Sequence, residues 1–295
     1  MRISASLVLA LTATTAIIAQ APAATPTLGQ RLAAERPEIK RLQDAFEFDQ
    51  AQARAEALLP TAKPVFDKST VNAVHQSTRN FLDICQAYFM AFQTADNNGQ
   101  WEKGLDYLTK ALEVAKDNVE SGREALTEQR DYWHKKAEAY KPLLEKNADA
   151  IQALKAKAKL EDYEEGPMAQ VKGWEKEMAE GEKWSKFFQY DLDLATRNVE
   201  DFTKFVTLQG DKIKGQATEI DDYKAHPGDK SKWVEAVVSS KTYLETSYPD
   251  KADRVAFVHR LLVLDPASRK AQNVLDVLLG KAAPEKEKPA GKKKK

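Results

Sequence analysis

Residues 171 to 223 read VKGWEKEMAEGEKWSKFFQYDLDLATRNVEDFTKFVTLQGDKIKGQATEIDDY. Alternate steps of three and four from Val171 land on Trp174, Met178, Gly181, Ser185, Phe188, Leu192, Ala195, Val199, Phe202, Val206, Gln209, Ile213, Gln216, Ile220 and Tyr223. Only Gly181, Ser185, Gln209 and Gln216 interrupt an otherwise apolar line. A 3.5-residue repeat held this long predicts a helix that pairs along one seam, in the manner of a coiled coil.

The preceding stretch behaves in the same way. From Leu105 the steps reach Leu108, Leu112, Ala115, Val119, Gly122, Leu126, Gln129, Trp133 and onward to Leu154. Gly166-Pro167 then breaks the chain between the two runs. The economical arrangement is a long antiparallel helical hairpin, each arm about fifty residues and roughly 75 Å long. Pro142 should kink the first arm, and Gly210 and Gly215 weaken the second. A hairpin folded back into a compact bundle remains the alternative.

Outward from the hairpin the helical pattern continues. Ile39, Leu42, Phe46, Ala53 and Leu58 predict one helix ended by Pro60 and Pro64. Ser69 is a plausible N-cap for the next, which runs through Val74, Phe81, Cys85 and Phe92 to a stop at Asp96-Asn97-Asn98-Gly99. Beyond His226-Pro227-Gly228 come three shorter helices, Lys232 to Ser247, Asp250 to Leu264 and Ala267 to Leu279, with Pro249 and Pro266 fitting first turns. No segment alternates with a period of two, so the fold class is all-α. Charged residues make up 31% of the chain, as wide solvated helix faces require.

Met1-Arg2, an apolar run from Ile3 to Ala19 and Ala21-Pro22-Ala23 have the plan of a secretory signal peptide cut after Ala23. An uncleaved membrane anchor is the other reading, with a run close to the lower limit for a span. Export to the periplasm or outside the cell is expected, with no transmembrane segment in the mature chain. The net charge of zero divides into +5 for Lys281 to Lys295 and −5 for the rest. An acidic body does not offer the basic face that nucleic acid requires. The lone Cys85, among Phe81, Leu82, Ile84 and Phe89, excludes an internal disulfide and reads as a small buried hydrophobe. The predicted division is 1–23 signal peptide, 24–37 linker, 38–117 N-terminal helices, 118–226 hairpin, 227–280 C-terminal helices and 281–295 a disordered Lys-rich tail.

Gly99-Gln100-Trp101-Glu102-Lys103-Gly104, with Leu108 and Ala111, resembles the second helix of a tetratricopeptide repeat. Phe48, Ala51, Ala55 and Leu58 match that helix more loosely, and Leu261 with Leu264-Asp265-Pro266 resembles the end of another. Phe48 and Trp101 stand 53 residues apart where the family has 34, and Arg254 occupies a small-residue position. The resemblance implies peptide or protein binding by a repeat layer that a long helical insert interrupts. A generic helical bundle is the competing reading.

Residues suited to catalysis are scattered. His75, His134, His226 and His259 form no metal-binding pair, and none is assigned as ligand or base. Gly210-Asp211-Lys212-Ile213-Lys214-Gly215 has phosphate-loop spacing, but Gln216-Ala217 replaces the required lysine and hydroxyl. Glu161, Asp162, Glu164 and Glu165 read as a solvated hairpin tip. No catalytic, cofactor or metal residue is therefore assigned. Trp101, Trp184 and Tyr107 are the candidates for partner contact, and Lys292, Lys293, Lys294 and Lys295 for contact with an anionic surface. The expected function is a non-catalytic, exported interaction scaffold of the cell envelope with a protein partner, and the heptad seam allows a homodimer. A periplasmic holding chaperone is the alternative, and an enzyme on a helical scaffold the third.

Overall fold

The computed structural model describes residues 25–157, 165–222 and 230–281, with side chains placed through Gln216 and again from Lys232. The segment read as a signal peptide, His226 and the Lys-rich tail after Lys281 lie outside the described residues, as does the loop between the arms except Glu165 and Gly166. The described residues form ten helices and no strand. None of the helices is long and apolar enough to cross a membrane.

The axis of the molecule is an antiparallel pair, α4 (Trp101–Lys146) and α6 (Pro167–Asp222). Their register is fixed by contacts along the length. Gln209 Nε2 donates to the Trp101 carbonyl at 3.2 Å, Arg130 Nη1 donates to Gln189 Oε1 at 3.0 Å, and Lys136 pairs with Glu177. The predicted seam of α6 faces inward: Val171, Phe188, Ala195 and Phe202 are buried, and so are the interruptions Gly181, Gln209 and Gln216. A Cβ on Gly181 would fall 2.8 Å from both Ala137 N and the Trp133 carbonyl oxygen, so only glycine permits this backbone approach.

The α4 side follows the prediction less far. Leu108, Ala115, Gly122 and Leu126 are buried, whereas Leu143 and Leu154 are exposed. Pro142 lies within α4, which ends at Lys146. A separate helix α5 (Ala148–Lys155) packs on α6 through Ile151 and a 2.6 Å contact from Lys155 to Glu175.

Helix α3 (Val71–Asn97) packs on the proximal half of α4, burying Phe81, Ile84 and Cys85 against Leu108, Ala111 and Ala115. Its cap is Thr70, whose hydroxyl accepts from Ala73 N, one residue beyond the predicted Ser69. Val74 lies in one cluster with Leu126, so α4 and α6 extend for about twenty residues past α3, roughly 30 Å.

Two N-terminal boundaries are corrected. Helix α1 (Leu28–Asp44) starts inside the segment read as a linker over 24–37, because Thr27 and Gln30 form a reciprocal capping box. The predicted single helix through Leu58 is two, α1 and α2 (Phe48–Glu56), divided where Phe46 takes φ 60°. The C-terminal region also has a further break at Ser240, giving α7 (Lys230–Ser239), α8 (Lys241–Ser247), α9 (Lys251–Leu264) and α10 (Arg269–Leu278). Pro249 and Pro266 precede the caps Asp250 and Ser268 and so stand outside the helices.

The regions are not separable layers. Helix α4 runs unbroken across the boundary drawn at residue 118. Phe48 of α2 and Trp101 of α4 share a core with Trp233, Val234, Val255, Phe257 and Leu261 of the C-terminal helices. Arg260 of α9 is buried there. Its Nε donates to Gln216 Oε1 at 2.8 Å, its Nη1 to the Gly99 carbonyl at 3.2 Å, and its guanidinium pairs with Glu102.

Candidate functional site: the paired faces of α3 and α6

The residues singled out in the sequence for partner contact are mostly interior. Trp101 is buried beneath Lys212 and Arg260, which lie 4.0 and 5.0 Å from its ring centre. Tyr107 is buried in the cluster of α1, α2 and α3, and burial and its hydrogen bond with Glu56 push the phenol pKa up. Trp184 is half-buried, stacked on Phe188 at 6.0 Å and 6.1 Å from Trp133. These three serve packing in separate places and form no common surface. Lys292 to Lys295 lie outside the described residues.

In the turn Asp96-Asn97-Asn98-Gly99, Asn98 Nδ2 donates to Asp49 and Gln52, each at 2.8 Å, and Asp96 pairs with Lys212. Gly210 and Gly215 lie within helix α6. Among the described residues no three His, Cys, Asp or Glu side chains gather as a metal site.

A second stripe of α6, one position away from its seam, forms the most developed surface feature. Asp191, Asn198, Phe205 and Lys212 recur every seven residues, and on α3 so do His75, Leu82, Phe89 and Asp96. The two helices run parallel, and these stripes meet in register. His75 Nδ1 lies 2.8 Å from Asp191 Oδ2, and Lys212 Nζ donates to Asp96 Oδ1 at 2.8 Å; each pair is 116 residues apart. Between them Phe89 faces Phe205 across 5.2 Å at the same separation. A hydrogen bond at one end and an ion pair at the other thus close an aromatic middle.

A cleft of about 390 Å³ opens there. Its floor includes Leu82, Cys85 and Phe202, and its walls carry Asp83 and Gln86 of α3 and Asn198, Asp201 and Phe205 of α6. Beyond Gln86 and Phe89 the surface continues into a second hollow, between α3 and α1, bounded by Arg36 and Lys40. Phe205 is 36% exposed, and on the same helix Tyr190 is 54% and Leu208 65% exposed. Of these three, Phe205 is the one that lines the cleft.

The electrostatics of the cleft are uneven. Arg79 at one end is committed to Asp191, 3.8 Å away and itself 0% exposed, and lies 5.9 Å from the Tyr190 ring centre. Asp83 is partly buried, and desolvation pushes its carboxyl pKa up against the opposing effects of the Gly29 N–H and Arg79. Asp201 stands on the opposite wall, with Lys204 at 4.0 Å. The lining thus carries one guanidinium, Arg79, and two carboxylates, of which Asp83 accepts from the Gly29 N–H.

The chain matches no family model, no curated protein and no solved structure. Reading positions 75, 82, 89 and 96 against 191, 198, 205 and 212 as two seven-residue ladders would have found this face in the sequence. The ladders escape a search for apolar seams because half their rungs are polar.

Proposed function

We propose that this chain is an exported interaction scaffold that docks a partner protein on the face where α3 and α6 run side by side. The carrying observation is the cleft between them, floored by Leu82, Cys85 and Phe202 and flanked by the exposed Phe205. Its volume falls within the ~300–1,000 Å³ of ordinary binding pockets, yet it lies open along two helices, a form suited to a segment of protein. The scaffold part of the reading is supported by the remainder of the fold. Helix α4 braces both walls, because α3 and α6 each pack along it. Docking therefore takes place on rigid elements, which lowers the ordering cost of binding.

A photo-crosslinking amino acid at Gln86, compared with one at Lys172 on the distal part of α6, tests this in the producing cell. Docking predicts a discrete adduct from position 86 that disappears with Phe205→Asp. Equal labelling at both positions, or no adduct at either, would remove the proposal.

A second reading, a holding chaperone, is favoured by the exposed Tyr132, Leu143 and Leu154 near the far end of the hairpin. It predicts slower aggregation of a model client, and loss of that effect when Leu143 and Leu154 are both changed to Ser.

A further inference from the structure

We draw no further inference here: the strongest candidate, the patch of Tyr132, Trp133, Trp184 and Phe187 where α4 and α6 run on past the start of α3, is an unpartnered aromatic face, and nothing in the structure shows what covers it.

Discussion

Gly99 stands against the backbone of α9: a Cβ built on it falls 2.3 Å from Arg260 N. Its φ of +70° is also one that other residues rarely adopt. The turn joining α3 to α4 is thereby pressed directly onto the C-terminal helices, with Arg260 returning a hydrogen bond to the Gly99 carbonyl.

Gly99→Ala should therefore release α9. Left-handed backbone costs roughly 1–2 kcal/mol and overpacking roughly 1–3 more, so a loss of about 3 kcal/mol is expected. Hydrogen exchange should show the loss concentrated in residues 251–278. Protection unchanged in α9 would mean that the contact is dispensable.

The helical glycines divide by what they touch. Gly181→Ala forces a methyl onto the α4 backbone and should cost about 1–3 kcal/mol. Gly173→Ala and Gly215→Ala meet nothing within 4 Å and should each stabilise the chain by about 0.5–1 kcal/mol through helix propensity. Urea midpoints for the three variants give the comparison; similar shifts in all three would contradict the close crossing at Gly181.

His259 faces Phe48 edge-on at 5.3 Å, its buried Nε2 has no hydrogen bond among the described residues, and burial lowers its pKa. Asp49 opposes that shift, and Lys281 adds to it. The folded chain then binds fewer protons than the unfolded chain, so stability rises with pH across the window between the two pKa values. The contribution is complete above the ordinary 6.5 and is lost as pH falls from there towards the folded value. His259→Leu should flatten that slope in thermal unfolding between pH 5 and 7. An equal slope in both proteins would assign it elsewhere.

Asp191 has no exposed surface, and its Oδ1 has no hydrogen-bond partner among the described residues. His75→Ala removes the 2.8 Å contact and leaves Arg79, at 3.8 Å, as the cation beside Asp191 among the described residues. About 1–3 kcal/mol should be lost, the cost of leaving a buried acceptor unsatisfied. His75→Leu combined with Asp191→Leu should recover most of it. A double variant no better than the single one would show that the pair contributes through shape alone.

Cys85 is buried, its Sγ donating to the Ala111 carbonyl at 3.5 Å, and burial pushes its thiol pKa up to about 12. The thiolate is the reactive species, so iodoacetamide at pH 8 should leave the folded chain unmodified and label it in urea. Native labelling at the rate of a free thiol would indicate an open α3–α4 interface.

The hairpin was legible because its seam repeats locally: Val171, Phe188, Ala195 and Phe202 announce one face without knowledge of the rest of the chain. Gly181, Gln209 and Gln216 looked like faults in that seam for a good physical reason. Their burial depends on a close backbone, on the Trp101 carbonyl and on Arg260, none of which the local pattern contains. Asp191 is the extreme case, a carboxylate whose burial is explained by a histidine 116 residues earlier. Trp101, Tyr107 and Trp184 attracted attention as large amphipathic side chains, but the core uses that same size. The division of α1 from α2 at Phe46 was hidden because a left-handed phenylalanine goes against the intrinsic preference of the residue.

The matching ladders of α3 and α6 act as a vernier. If α3 slid by one heptad, His75 would face Asn198, Leu82 would face Phe205 and Phe89 would face Lys212, an alignment that hydrophobic contact alone penalises only weakly. Both terminal contacts would be lost at once, and the buried Asp191 carboxylate would lose its histidine partner. The polar rungs thus make one alignment of two similar cylinders distinguishable from its neighbours, as single buried polar residues do in other helical pairs. The chain carries this safeguard at its two ends, and so keeps the apolar middle free for other uses.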